Sequence, residues 1–189
     1  MKKSPLTIEL PGWLTTLLAG AGPLADVRAR MALAIELSRE NVAHGTGGPF
    51  GAVIADTETG RLVSGGVNLV EHQTNSVLHA EVVAIMFAQR ALGAWTLAKP
   101  GLHKFEIVTS SAPCAMCLGA VLWSGVSALV CGARTEDVQA IGFDERPVFD
   151  ESFDYLQQRG VLIVRDVMRE EAREVLREYR ARGGTIYNR

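Results

Sequence analysis

Two short stretches, His79-Ala80-Glu81 and Pro113-Cys114-Ala115-Met116-Cys117, decide which fold the sequence predicts. Together they offer one imidazole nitrogen and two thiolate sulfurs, a donor set that suits a tetrahedral Zn²⁺ ion. Cys114 and Cys117 lie three residues apart at a predicted helix start, so both thiols can face the same side of the helix. The exposed amides of a helix start favour thiolates, and Pro113 is typical of such a boundary. The sequence therefore predicts one shared metal site.

Strands and helices alternate on either side of these two stretches. Asp26 is a suitable cap for the helix that precedes the first strand. The predicted strands are 50–55, 62–69, 105–109, 128–131 and 161–164, and the predicted helices are 13–18, 27–42, 79–92, 114–123 and 167–181. The polar segment 56–60 has the composition of a hairpin turn between the first two strands. This alternation predicts an α/β protein, a three-layer α/β/α sandwich with helices on both faces of the sheet.

The length of 189 residues fits one domain. Residues 1–23 are rich in proline and glycine and are expected to form an N-terminal arm with a short helix and no catalytic role. Residues 24–152 contain the metal motifs and are predicted to be the zinc-binding core. Residues 153–189 form a C-terminal segment with a helix.

Composition restricts the classes of partner. The chain has 19 basic and 21 acidic residues and a net charge of −2, which provides no general field for attracting nucleic acid. A small uncharged substrate fits better. We find no apolar run long enough to span a membrane and no signal core after the N-terminus, so a cytoplasmic protein without a membrane partner is expected.

The predicted metal site is suited to hydrolysis. Three protein ligands leave the fourth tetrahedral position for water, and zinc can lower the pKa of that water to about 7. Glu81 is not needed as a ligand. We therefore expect its carboxylate to act as the general acid and base that moves protons from the water to a ring and to a leaving amine.

Either motif alone has ordinary explanations, because Cys-x-x-Cys is often structural or redox-active and His-x-Glu occurs by chance. Together they form the established signature of zinc-dependent base deaminases. A zinc-stabilised binding module without catalysis is the alternative from another class of protein. Such a module usually closes the fourth metal position, and Cys131 is the candidate for it, although a buried cysteine is commonly a core residue.

The resemblance extends beyond the zinc motifs. It includes Gly47-Gly48-Pro49-Phe50-Gly51-Ala52-Val53-Ile54, Leu92-Gly93-Ala94-Trp95, Met116-Cys117-Leu118-Gly119-Ala120 and Ile141-Gly142-Phe143-Asp144-Glu145. On these residues the chain, over roughly 26–152, resembles the cytidine deaminase-like superfamily, and within it the bacterial guanine deaminases and relatives that act on aminotriazines. The resemblance implies the cytidine deaminase-like fold with a mixed sheet of about five strands. It also implies hydrolysis of guanine to xanthine and ammonia, with triazines such as ammeline as further substrates.

The same resemblance assigns roles to residues outside the zinc motifs. It implies a base contact from Asn68, carboxylates of Asp144 and Glu145 near the purine, and a second proton-shuttle role for Glu145. Their ordinary alternatives are a turn asparagine and a polar turn before Pro147. Phe50 suits either an apolar wall against the ring or a core position.

The resemblance further implies a homodimer in which residues after about Ser152 of one chain close the pocket of the other. The tail Thr185-Ile186-Tyr187-Asn188-Arg189 matches no motif that would identify a lid residue. Transfer RNA adenosine deaminases and cytosine deaminases share the zinc motifs and are the alternative enzymes. An RNA-editing enzyme would need a basic surface around the site, against which the composition argues.

Overall fold

The computed structural model describes residues 7–98, 101 and 103–187. Within these residues it contains seven helices and five strands. The helices are α1 Gly12–Gly20, α2 Val27–Ala43, α3 Ala80–Leu92, α4 Ala115–Ser124, α5 Thr135–Ala140, α6 Asp150–Gln158 and α7 Arg169–Ala181. The strands are β1 Gly51–Asp56, β2 Leu62–Val67, β3 Phe105–Ser111, β4 Ala128–Ala133 and β5 Leu162–Val164.

The five strands form one mixed sheet in the order β2-β1-β3-β4-β5. The hairpin β1-β2 and the pair β1-β3 are antiparallel, whereas β3-β4 and β4-β5 are parallel. Every residue of β1, β3 and β4 is buried, as expected for central strands covered on both faces. The predicted mixed sheet of about five strands is confirmed.

Helices cover both faces of the sheet. On one face α2 lies across β1 and β3, and α7 lies across β4 and against α2. On the other face α3 lies across β2 and β1, with α4 beside it. Gly66 of β2 allows this close approach, since a β-carbon there would overlap the Ala80 backbone carbonyl of α3. The three-layer α/β/α prediction is therefore confirmed, and both metal-motif helices lie on the same face.

The predicted elements agree with the structure to within a few residues, and Asp26 caps α2 by accepting a hydrogen bond from the Ala29 amide at 2.8 Å. Two short helices, α5 and α6, were not predicted. The division into arm, core and C-terminal segment stays a prediction, and residues 1–6 and 188–189 lie outside the described part of the chain. Among the described residues, none of the helices has the length and apolar character needed to cross a membrane.

Candidate active site

The residues of the two metal motifs converge at adjacent helix starts. His79 is the N-cap of α3, Cys114 is the N-cap of α4, and Cys117 lies in the first turn of α4. Their ligand atoms all lie within 4.8 Å of one another, and His79 Nδ1 is 3.6 Å from Cys114 Sγ. One nitrogen and two sulfurs at this spacing fit a tetrahedral ion such as Zn²⁺ with one position left open. The three predicted ligands are thus brought together as the sequence indicated.

The electrostatics of the cluster favour a cation. A hydrogen bond from the Cys117 thiol is the main cause that lowers the pKa of Cys114 to about 4. The pKa of Cys117 is raised by its hydrogen bond to Cys114 and by burial. A bound divalent cation favours both thiolates and would therefore release the remaining thiol proton.

Glu81 lies beside this cluster without belonging to it. Its side chain projects from the first turn of α3 and the residue is only 5% exposed. Burial is the main cause that raises the pKa of its carboxyl group, and the nearby Cys114 adds to the rise. A carboxyl group with a raised pKa holds a proton more readily than a free one, which suits it to accept and return a proton in general acid and base catalysis.

A small pocket opens beside the metal-ligating cluster. It is lined by Phe50, Asn68, His79, Glu81, Ser111, Ala112 and Glu145, and its volume of about 10 Å³ holds roughly one water molecule. A larger cavity of about 720 Å³ lies at the ends of β4 and β5. The lining of that cavity includes none of the three candidate metal ligands and not Glu81, whereas the small pocket is lined by His79 and Glu81.

Tyr187 lies against two residues of the pocket lining, Asn68 and His79. Asn68 Nδ2 donates a hydrogen bond to Tyr187 Oη at 2.6 Å. The Tyr187 ring packs edge-on against Phe143, with centroids 5.0 Å apart, and approaches the His79 ring at 6.3 Å. Burial raises the pKa of the phenol, so Tyr187 stays protonated at neutral pH. The side chain belongs to the same chain as the pocket, and exchange of the C-terminal segment between subunits stays a prediction.

Asn68 and Phe50 both line the small pocket. Asn68 is fully buried, and its Oδ1 accepts hydrogen bonds from the amides of Gly48 at 3.4 Å and Val70 at 3.3 Å. Its Nδ2 therefore points into the pocket as a donor. Phe50 lines the pocket, and its ring also packs edge-on against Phe143 in the core, with centroids 5.2 Å apart. Phe50 is therefore a core residue, and its role as a wall against the ring stays a prediction.

The two predicted purine-binding carboxylates lie in different environments. Glu145 is buried and lines the pocket together with Glu81. Asp144 lies at the surface outside the pocket-lining set, where its Oδ1 accepts hydrogen bonds from the backbone amide and Nε of Arg146 at 3.1 and 2.9 Å. These bonds lower the pKa of Asp144. Substrate-binding roles for both residues stay predictions.

Comparison with known proteins agrees with this geometry. Residues 25–133 match the model of the cytidine and deoxycytidylate deaminase zinc-binding region. This chain belongs to the cytidine and deoxycytidylate deaminase family. The deaminase is 39% identical to the guanine deaminase of Bacillus subtilis over 118 aligned residues. The alignment covers 62% of this chain and 71% of that protein. The predicted family is therefore confirmed.

Two solved structures resemble this deaminase over almost its whole length. A guanine deaminase from Nitrosomonas europaea is 42% identical, with a TM-score of 0.90 over 94% of this chain and 97% of that one. A variant of the protein NE0047 in complex with 8-azaguanine is 41% identical, with a TM-score of 0.90 over 96% of this chain and 99% of that one. The similarity thus extends beyond the zinc-binding region.

The positions of Tyr187, Phe143 and Ser111 at or beside the small pocket of this deaminase were not predicted from the sequence. Tyr187 lies 119 residues from its partner Asn68 in the sequence and carries no motif. Phe143 lies in the segment 141–145 on which the family resemblance partly rests. Its position near Glu145 could therefore have indicated that Phe143 lies close to the pocket. Ser111 is the last residue of the fully buried strand β3, and no sequence motif marks it as a site residue.

Proposed function

We propose that this protein hydrolyses guanine to xanthine and ammonia, with one zinc ion as cofactor. The observation that carries the proposal is the convergence of the His79, Cys114 and Cys117 cluster with Glu81, Asn68 and Glu145 around one closed pocket. Similarity over nearly the whole chain to a guanine deaminase and to a complex with the guanine analogue 8-azaguanine supports this substrate.

His79, Cys114 and Cys117 would hold the zinc ion through one nitrogen and two sulfurs. When bound there, zinc supplies Lewis acidity that lowers the pKa of a water molecule in its open position to about 7. The buried surroundings of Cys114 and Cys117 keep competing water away from the thiolates. All three cysteines of the chain are free, which fits a reducing compartment such as the cytoplasm.

Glu81 performs the proton transfers in this proposal. Its carboxylate takes a proton from the attacking water, whose oxygen bonds to C2 of guanine, and returns that proton to the ring. The carboxylate then moves the second water proton to the exocyclic nitrogen, so that the C2–N2 bond breaks and ammonia leaves. Glu145, buried on the same pocket wall, is available as a second proton carrier for the leaving amine.

Recognition of the base follows from the donors and acceptors in the pocket. Guanine presents N1–H and an N2 amine as neighbouring donors, and an acidic acceptor such as Glu145 matches that edge. Asn68 Nδ2 offers a donor to a ring acceptor. Adenine lacks the N1–H donor and therefore does not match an acidic acceptor at this edge, which is a source of discrimination. Phe50 and Phe143 supply the apolar walls.

Tyr187 has to withdraw from its observed position before guanine binds. Its hydroxyl occupies the Asn68 donor, and the remaining volume is about 10 Å³, which is far less than a purine requires. We therefore propose that the segment after α7 opens for the substrate and recloses to exclude water during the reaction. A pocket closed in this way also disfavours a base that is attached to RNA.

The test is ammonia release by the purified zinc-loaded protein with guanine, guanosine, adenine, cytosine, ammeline and a transfer RNA stem-loop as substrates. We expect turnover of guanine and none of the stem-loop. Turnover of ammeline beside guanine would extend the activity to aminotriazines. Activity confined to cytosine or RNA would refute the substrate assignment, and the variant Glu81→Gln controls for a contaminating deaminase.

We further propose that the protein is a homodimer that functions in purine catabolism. The support for self-association is the outer face of α4, where Met116 is 38% exposed and Trp123 is 82% exposed. The helix sequence contains no charged residue, and a helix without charge is normally buried. A two-fold contact between two copies would cover this face without opposing like charges.

A further inference from the structure

Asn41 is a fully buried polar residue that the reaction does not use. It lies in the last turns of α2, and all the hydrogen bonds of its side chain run to the loop around the pocket. Its Nδ2 donates to the Gly48 carbonyl at 2.8 Å and to the Asn68 carbonyl at 2.9 Å. Its Oδ1 accepts from Thr46 Oγ1 at 2.6 Å. The amide therefore joins the glycine turn 45–48 to the residue after β2.

The glycine turn fits against this junction without space for a side chain. A β-carbon at Gly47 would overlap the Asn68 carbonyl and would also come within 3.0 Å of Asn41 Nδ2. The backbone of Thr46 donates to the Asn41 carbonyl at 3.0 Å, which closes the loop onto the end of α2. The turn and the Asn68 backbone are thus fixed relative to each other through Asn41.

This arrangement determines which way the Asn68 side chain points. Asn68 Oδ1 is held by the amides of Gly48 and Val70, and only this pairing directs Nδ2 rather than Oδ1 into the pocket. Asn41 holds both the Gly48 carbonyl and the Asn68 carbonyl. Loss of those two bonds would let the Gly48 amide move away and would leave Asn68 free to rotate its amide group.

We propose that Asn41 is a positioning residue for substrate recognition, which acts through Asn68 and never touches the base. The proposal rests on the proposed function because it takes Asn68 as a contact of the ring. Replacement of Asn41 should therefore weaken substrate binding and raise KM. Because Asn41 contacts neither the metal-ligating cluster nor Glu81 among the described hydrogen bonds, the proton-transfer steps do not depend on it.

The decisive comparison uses Asn41→Ala with Ser38→Ala as the matched control. Ser38 is equally buried on α2, one turn earlier, and its hydroxyl bonds only to the Ile35 carbonyl of the same helix. Both variants lose a buried polar group. We expect Asn41→Ala to raise the KM for guanine roughly tenfold with kcat at saturation within about twofold of the parent, and Ser38→Ala to leave both values unchanged. Equal KM values in the two variants would overturn the proposal.

A milder variant protects the test against misfolding of Asn41→Ala. Thr46→Val removes the hydrogen bond from Thr46 Oγ1 to Asn41 Oδ1 at 2.6 Å, together with its longer contact of 3.4 Å to the Asn41 carbonyl, and keeps the size of the side chain. We expect it to raise KM about threefold, because the amide of Asn41 keeps its two donor bonds. An unchanged KM in Thr46→Val, with a lowered melting temperature, would assign Asn41 to stability alone.

A double-mutant cycle separates action through Asn68 from a general loosening of the pocket. In an Asn68→Ala background, Asn41→Ala should cause no further rise in KM. If the two substitutions raise KM independently, so that their effects on binding free energy add in the double variant, the proposal is overturned. The cycle is measured with whichever base of the substrate panel the parent enzyme deaminates. Absence of guanine turnover by the parent would thus refute the proposed function, while the coupling of Asn41 to Asn68 is still decided by the cycle.

Discussion

Tyr187 Oη lies 2.6 Å from Asn68 Nδ2, so a residue near the end of the chain occupies the donor that the pocket offers to a base. The contact is between a buried amide and a phenol whose ring packs against Phe143. The contact places Tyr187 against two residues of the pocket lining, Asn68 and His79.

Tyr187→Phe should lower the KM for guanine about fivefold, since the hydroxyl that competes for Asn68 is removed while the ring remains. Tyr187→Ala should lower kcat, because the pocket then admits water. Steady-state kinetics of both variants provide the measurement. A raised KM in Tyr187→Phe would mean that the phenol contacts the bound base instead.

Glu81→Gln should retain one zinc ion per chain and lose turnover by at least about 100-fold, because the amide keeps the shape and cannot carry the proton. Metal analysis and ammonia release measure the two properties. Glu58→Gln is the control, since Glu58 is an exposed glutamate in the hairpin turn. Full activity of Glu81→Gln would exclude the proposed proton carrier.

Cys114→Ala should lose both zinc and activity, because two remaining ligands bind the metal poorly. Cys131→Ala is the matched control. Cys131 is also buried but lies outside the metal-ligating cluster, so this variant should keep stoichiometric zinc and lose only some stability from the small cavity. Loss of zinc from Cys131→Ala would identify Cys131 as a fourth ligand and favour a closed structural site.

Asp137→Asn should reduce the free energy of unfolding at pH 7 by about 1–3 kcal/mol. The buried Asp137 carboxylate on α5 accepts hydrogen bonds from Arg169 Nε at 2.7 Å and Nη2 at 2.9 Å, which tie it to α7. Burial acts to raise the pKa of this group, but the hydrogen bonds from Arg169 and from the Arg134 amide, together with the charges of Arg169 and Arg173, outweigh it and the pKa is lowered.

A lowered pKa in the folded state means that Asp137 contributes stability above the unfolded value of about 3.9. That contribution is lost as the pH falls through the folded pKa. The difference between the parent and Asp137→Asn in urea unfolding should therefore vanish in strong acid. Asp150→Asn, at an exposed ion pair with Arg165, should have no effect at any pH. A difference that persists in acid would contradict the charge argument.

Trp123→Lys should convert a dimer to a monomer, because it places a charge at the most exposed apolar residue of the uncharged helix α4. Sedimentation velocity measures the change. Tyr155→Lys, an exposed aromatic residue on α6, serves as the control and should remain dimeric. A parent protein that sediments as a monomer at micromolar concentration would refute the homodimer.

The sheet and most helices could be predicted because their burial follows local periodicity, and central strands such as β3 are apolar along their length. The short helices α5 and α6 could not be predicted. They span six and nine residues, which is shorter than the window over which helical periodicity is recognised, and α5 also relies on a hydrogen bond from the Arg134 amide to Asp137 at 2.9 Å. Such interactions depend on the positions of neighbouring elements.

The sequence by itself determined that His79, Cys114 and Cys117 meet as a candidate metal site with Glu81 nearby, because their positions at two helix starts fix which way the side chains point. Only the tertiary structure decided that Tyr187 bonds to Asn68 of the pocket lining, that Asn41 bonds to the Asn68 carbonyl, and that Glu145 lines the pocket while Asp144 is held by Arg146. The physical reason is that the contacting residues are far apart along the chain and most of them lie in loops without a regular backbone. Contacts between loops distant in sequence follow from packing of the whole sheet, which no local pattern encodes.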